Sequence, residues 1–324
     1  MEVNNASNKK RITFIGSETM GWECLNLLLK LDENIVGVFT TPPTEAQSII
    51  SYKSFDNYQS KVPLVYTSNI NSDSVIKAIK SQQPDVIYQV SWSQLLSKEL
   101  LQIPHKGCVG FHGTLLPKHR GRAPIPWSII FGLRKSGMTL MYLSEGADLG
   151  DIIGQESYEI EPNDSATEIY EKSTQACKIL ISRYHNLIMR GTAPRKKIDT
   201  SRSDYWPKRI PQDGIIDWNK DSSSLDLWIR ALTHPFPGAF TYWQNKKIFI
   251  WKAFKNENTN LIERCSLLMK EPGEIVSLTD QGTILVQTGN GILELYNIQL
   301  EGENEVTTKI FLANHSVNEN DFLG

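Results

Sequence analysis

The feature that most constrains the fold is the alternation of short apolar runs with amphipathic stretches through the first third of the chain. Arg11–Gly16 reads as a strand, and Trp22–Leu31 as an amphipathic helix. Ile35–Phe39 and Val62–Tyr66 read as strands, followed by a helix over Ser72–Gln82 with Asn71 or Ser72 as its cap. Pro84–Val90 and Gly107–Phe111 are further strands. Strands that alternate with helices predict a doubly wound, mostly parallel α/β sheet of Rossmann-like form. Ligands of such sheets gather beyond the carboxyl ends of the strands, which is where Ser17, Ser91, His112 and Asp148 are expected. The Gly16–Gly21 loop carries two glycines rather than a GxGxxG, so it gives little support to a dinucleotide cofactor.

Texture changes further along. A strand over Ile152–Ile160 and a long helix over Ser165–Arg190 complete the first pattern, and the polar Asp199–Pro207 stretch reads as a linker. A short helix near Ser223–Ala231 then precedes short strands at Phe240–Trp243, Lys247–Phe254, Glu274–Leu278, Thr283–Gln287 and Gly291–Leu300, with Gly or Asn turns between them. This spacing predicts a smaller, β-barrel-like (OB-like) C-terminal domain. With 324 residues and roughly 100–200 residues per domain, two domains are expected, over 1–203 and 204–324.

Charge narrows the partners. Lys and Arg number 34 against 36 Asp and Glu, a net charge of −2, which argues against binding nucleic acid by phosphate neutralisation. The densest basic run, Pro194–Lys197, falls in the linker region. The polar Met1–Lys10 segment shows no secretory signal, and no apolar run reaches the ~20 residues of a membrane span. Cys24, Cys108, Cys177 and Cys265 have neither zinc-ligand nor disulfide-framework spacing. A soluble cytoplasmic protein without a metal is the expectation.

The chemistry concentrates in Gly110-Phe-His-Gly-Thr-Leu-Leu-Pro-Lys-His-Arg-Gly-Arg-Ala-Pro124 and in Glu145-Gly-Ala-Asp-Leu-Gly150, which follows a strand over Met138–Tyr142. An imidazole and a carboxylate at strand ends make an acid/base pair, with Thr114, Lys118, Arg120 and Arg122 close by for an anionic substrate. The aromatic run Pro124–Phe131 reads as helix packing.

These motifs resemble the folate-dependent formyltransferases, whose members include methionyl-tRNA formyltransferase and the sugar N-formyltransferases. The His-Gly-Thr-Leu-Leu-Pro and Arg-Gly-Arg-Ala-Pro segments are similar to the formyltransferase half of the bacterial enzyme that formylates UDP-aminoarabinose. Ile216–Trp218 and Arg230–Phe240 carry the likeness into the second domain, so it spans roughly Arg11 to Gly302. The resemblance implies N10-formyltetrahydrofolate as donor and a primary amine as acceptor. It also implies a catalytic Asn-x-His followed by Asp about 36 residues on. His112 and Asp148 fit that pattern, whereas Gly110 stands where the asparagine would be. Folate contacts are implied at Gln94, Leu95 and Leu96, at Ser144, Glu145, Gly146, Ala147 and Asp148, and at Arg122.

Formyl transfer develops a negative oxygen in a tetrahedral intermediate while the attacking amine sheds a proton. His112 is assigned oxyanion stabilisation and acid/base work. Asp148 tunes it, with direct deprotonation by the carboxylate left open. For the donor missing at Gly110 the candidates are Gln89, Ser91 and Ser93, with Gln89 foremost. Thr114, Lys118 and Arg120 are expected to bind the acceptor. A nucleotide-linked 4-amino-4-deoxy or 4,6-dideoxy sugar, on UDP ahead of dTDP or GDP, is the expected acceptor, for a surface glycan such as lipopolysaccharide. A methionyl-tRNA formyltransferase-like or other amine acceptor is the alternative, and a non-catalytic folate- or nucleotide-sugar-binding protein is a second, motivated by Gly110. The C-terminal domain is expected to support a homodimer.

Overall fold

A computed structural model describes residues 9–267 and 269–324, apart from the side chains of residues 48, 202, 264 and 266. The polar N-terminal stretch, as far as residue 8, lies outside the described residues. The chain divides into two compact units. The first holds the described residues up to Pro124, with Lys135–Glu159 and Tyr170–Pro207; the second holds Ile125–Arg134, Ile160–Ile169 and Lys208–Gly324.

The first unit is built on a seven-stranded sheet. Its strands are β1 (Arg11–Gly16), β2 (Asn34–Thr40), β3 (Leu64–Tyr66), β4 (Val86–Val90), β5 (Cys108–His112), β7 (Lys135–Tyr142) and β8 (Ile152–Glu159), in the order β3-β2-β1-β4-β5-β7-β8. The first five run parallel, joined through α1 (Thr19–Lys30), α2 (Asp73–Ser81) and the single turn α3 (Lys98–Leu101). The last two strands of that order, β7 and β8, run antiparallel to the strand before them. Ile15, Phe39 and Ile87 of the sheet pack with Val75, Ile76 and Ile79 of α2 in one buried cluster. The 25-residue helix α5 (Ala166–Arg190) brings Tyr184 against Gly154 of β8 so closely that a Cβ there would stand 2.2 Å from the ring.

Gly16 and Gly21 have a packing role. A Cβ on Gly16 would sit 2.7 Å from the Val90 carbonyl oxygen, and one on Gly21 3.1 Å from the same atom. The two glycines let the start of α1 press against the end of β4.

In the second unit, α4 (Pro124–Ile130, all but its first residue) and α6 (Ser222–Leu232) accompany an antiparallel sheet. Its strands are β10 (Ala239–Trp243), β11 (Lys246–Asn256), β12 (Ile275–Leu278), β13 (Ile284–Gln287) and β14 (Ile292–Leu300), ordered β10-β11-β14-β13-β12, with β15 (Val306–Thr307) on β14. Asp221 caps α6 by accepting from the Ser224 N–H at 2.9 Å. Two helices were not legible in the sequence: α7 (Thr259–Leu267) and α8 (Thr308–Asn314). The stretch read as a linker is ordered too. Its β9 (Tyr205–Trp206) pairs in parallel with β6 (Arg120–Gly121), directly after the histidine motif.

Candidate active site

β5 ends at His112, whose side chain is 7% exposed. Its Nδ1 lies 3.2 Å from Asp148 Oδ1, and its Nε2 donates to the His119 carbonyl oxygen at 3.0 Å. Both partners are acceptors, so a hydrogen on either ring nitrogen has a partner. Asp148 Oδ2 accepts from the Gly121 N–H at 3.1 Å. Burial pushes the Asp148 carboxyl up. The hydrogen bond and charge of His112, the Gly121 N–H and the nearby Arg120 charge outweigh it and hold the group below its usual value of 3.8. The carboxylate is therefore ionised at neutral pH.

Asp148 arrives by a route different from the one the sequence suggested. β7 runs antiparallel to β5, with Tyr142 opposite Val109 and Thr139 opposite His112. The loop after β7 therefore leaves from the far end of β5, and the carboxyl end of β7 is not at the rim with His112. The loop doubles back until Asp148, in a left-handed conformation (φ 56), meets the histidine. Gly150 makes that fold possible, since a Cβ there would overlap the Tyr142 carbonyl oxygen at 1.6 Å.

The loop after His112 is fixed from several directions. The Thr114 hydroxyl donates to the Lys118 and His119 carbonyls at 3.0 and 3.1 Å. Thr139 of β7 donates to the Thr114 carbonyl and accepts from the Leu116 N–H, and Gln155 of β8 donates to the Leu116 carbonyl. His119 is left-handed at φ 59, a conformation costing about 1–3 kcal/mol that survives only where its surroundings impose it. Asp204 imposes it here. One carboxylate oxygen accepts from the His119 N–H at 2.6 Å and the other pairs with its ring Nδ1 at 2.7 Å. Burial raises the Asp204 carboxyl, and the His119 bonds and charge more than offset this, leaving it below the ordinary range. The His119 ring stacks on Trp206, centroids 4.3 Å apart.

The other expected residues fall into distinct places. Gln89 and Gly110 are register neighbours on β4 and β5. The Gln89 amide donates to the Trp92 and Gln94 carbonyls, at 3.2 and 2.8 Å. With both hydrogens engaged, Gln89 is placed as a strut for the following loop and not as the expected oxyanion donor. The space glycine opens at position 110 is filled. A Cβ there would meet Leu143 Cδ2 at 2.9 Å and the Gln89 carbonyl oxygen at 3.1 Å. Ser91 is half-buried and left-handed, its carbonyl accepting from Ser17, and Ser93 is exposed.

The Gln94 side chain accepts from the Ile70 N–H and donates to the Ser68 carbonyl. Leu96 is buried in the sheet core, while Leu95 stands 56% exposed. Ser144, Glu145 and Gly146 are exposed, and the Ala147 carbonyl accepts from Arg120 at 2.9 Å. A 3.4 Å ion pair between Lys98 and Glu145 brings the two expected folate stretches together.

Among the acceptor candidates, Thr114 is buried with its hydroxyl engaged, Arg120 is half-buried and Lys118 is exposed. Arg122, an implied folate contact, is exposed. His119, Asp204 and Trp206 were missed as a group, because 85 residues separate the two ends of the bond and neither end carries a local signal.

Among the described residues no cluster of His, Cys, Asp or Glu could hold a metal ion, and no helix is long and apolar enough to cross a membrane. The four cysteines are buried.

Comparison with known proteins places the chain. A family model described as formyl transferase matches residues 10–184, and one described as formyl transferase, C-terminal domain, matches 209–316. The chain is 30% identical over 320 residues to methionyl-tRNA formyltransferase of Syntrophus aciditrophicus, covering 98% of this chain and 99% of that one. It is 34% identical over 236 residues to the bifunctional polymyxin resistance protein ArnA of Wigglesworthia glossinidia brevipalpis, 72% of this chain and 36% of that one. Among solved structures, HypX from Aquifex aeolicus in complex with tetrahydrofolic acid shares the fold at TM-score 0.68 and 17% identity, over 98% of this chain and 51% of that one. WlaRD, a sugar 3N-formyl transferase solved with dTDP and 5-N-formyl-THF, shares it at TM-score 0.61 and 18% identity, over 92% and 100%. The paired histidine and aspartate at the sheet rim, the two-unit fold and these likenesses agree: the chain belongs to the formyl transferase family and is a formyl-transfer enzyme.

Proposed function

We propose that this enzyme moves the formyl group of N10-formyltetrahydrofolate to the primary amine of a nucleotide-linked amino sugar, a 4-amino-4-deoxy or 4,6-dideoxy sugar carried on UDP. The observation that carries the chemistry is the His112–Asp148 pair, held at 3.2 Å in a nearly closed environment. Attack of the amine on the formyl carbon forms a C–N bond and places negative charge on the formyl oxygen. The His112 Nε2 hydrogen, already directed by the His119 carbonyl, is the donor this oxygen can share. Asp148, kept ionised, favours positive charge on the ring and takes up the amine proton with it. The C–N10 bond then breaks, and the proton passes to N10 as tetrahydrofolate leaves.

The donor fits the loops on either side. Leu95 offers an exposed apolar surface beside the polar Ser144–Asp148 loop, and Lys98–Glu145 ties the two together. The net charge of −2 favours a small acceptor over a polynucleotide. The full-length likeness to methionyl-tRNA formyltransferase favours the amine of an aminoacyl-tRNA as the second reading.

Mass spectrometry separates them. The purified protein is incubated with N10-formyltetrahydrofolate and, in parallel, UDP- and dTDP-linked amino sugars and charged tRNA. A formylated sugar nucleotide with unmodified tRNA supports the sugar reading, and the reverse result replaces it. Folate binding without formylation of any amine would indicate a binding protein.

A further inference from the structure

We propose that Asp204 and His119 form a positioning device for His112, acting through the His119 main-chain carbonyl. Three observations support it, and it rests on the reading that His112 acts in formyl transfer. First, the peptide between His119 and Arg120 is held at both ends. Its carbonyl accepts from His112 Nε2 and from the Thr114 hydroxyl, and its N–H donates to the Asp204 carbonyl at 3.1 Å. Second, the Asp204 carboxylate binds the His119 N–H and the His119 ring together, which fixes a left-handed residue that would otherwise relax. Relaxation would turn the carbonyl away from His112. Third, the segment after Asp204 braces the other side of the pair. The Arg122 N–H donates to the Trp206 carbonyl at 3.0 Å, and Gly121, whose N–H serves Asp148, lies so close that a Cβ would stand 2.2 Å from that carbonyl oxygen.

The Asp204 side chain is half exposed, so its removal is expected to free the carbonyl without opening a cavity in the core. The device touches no reacting atom. Its effect is on the orientation of the imidazole, where small displacements are costly in rate.

The test compares Asp204→Ala, Asp204→Asn and the unmodified enzyme by steady-state kinetics, and follows the His112 Nε2 resonance in ¹⁵N-histidine-labelled protein. Asp204→Ala is expected to lower kcat about tenfold, with KM for formyltetrahydrofolate within about twofold. It should also move the His112 Nε2 signal. Asp204→Asn, which keeps an oxygen for the His119 N–H, should recover part of both. An unmoved His112 signal overturns the proposal whatever the rate does, and so does a moved signal with unchanged kcat. If the unmodified protein formylates no amine, the functional reading falls, and the resonance alone still decides whether the carbonyl holds the ring.

Discussion

Two histidines seven residues apart each pair with a carboxylate, and the two pairs are built differently. His119–Asp204 is the shorter, at 2.7 Å, with side chains 29% and 52% exposed. His112–Asp148 is longer, at 3.2 Å, with side chains 7% and 13% exposed. Distance alone would pick the wrong pair for chemistry. In the wetter pair, solvent screens the charges and the bond serves mainly to fix a backbone shape. In the drier one the same charges act through a lower effective dielectric, and a proton shift there changes the field at a reacting atom.

The largest difference between the pairs should appear in turnover. His112→Ala is expected to reduce kcat about 10³-fold and Asp148→Asn about 10²-fold, whereas Asp204→Ala costs about tenfold. Rapid-quench measurement of tetrahydrofolate release checks the ranking. Equal losses at both pairs would erase the distinction.

Next comes the packing behind the drier pair. Gly110→Ala forces a Cβ against Leu143 and the Gln89 carbonyl, and overpacking of this kind costs about 1–3 kcal/mol. Urea denaturation should show the loss, and Gly110→Ala combined with Leu143→Ala should relieve the side-chain part of it. An unchanged midpoint in the single variant would show that Leu143 is free to move.

Titration sharpens the contrast further. The Asp148 carboxyl lies below its ordinary value, so the native chain binds fewer protons than the unfolded one just below that value. Its contribution to stability is complete above the ordinary carboxylate range and is lost as pH falls through the native value. His112→Ala removes the bond and the charge that hold it down, leaving burial to dominate. The ¹³C-detected Asp148 titration should therefore move up in that variant, and no movement would separate the carboxyl from the ring.

An effect away from both pairs is expected at Glu18, beyond the end of β1. It accepts from the Tyr170 hydroxyl at 3.3 Å, and burial pushes its carboxyl from 4.5 up to about 8 despite that bond. The native state there holds a proton that the unfolded chain releases, so stability declines as pH rises from about 4.5 to about 8. Glu18→Gln should flatten that decline in thermal melts at pH 5 and pH 8. An identical pH slope in the variant would contradict it.

What the sequence made legible follows from range. β1 is found with the bounds read for it, Arg11–Gly16, and α2 within a residue at each end, because period and capping are local properties. The mostly parallel sheet and a strand-rich second part came from the same signals, whereas the second unit also takes in Ile125–Arg134 and Ile160–Ile169, which the expected boundary at 203/204 left in the first. The antiparallel course of β7 was not legible, because a buried strand reads the same in either direction. The β6–β9 pairing was hidden by shortness: two residues carry no periodicity, and the polar stretch before them reads as a linker. His112 and Asp148 stood out because turn chemistry and motif surround each of them. Asp204 has no such frame and gains its role only when the chain brings it to His119.

The central claim is that His112 and Asp148 act on the formyl group as a single unit. A double-mutant cycle on single-turnover formyl transfer tests it most directly, using His112→Ala, Asp148→Asn and the pair. The account predicts that the double variant is no slower than His112→Ala alone, because the carboxylate works through the ring. Losses that multiply, with the double variant slower by the product of the two singles, would mean that the groups act independently and would contradict it.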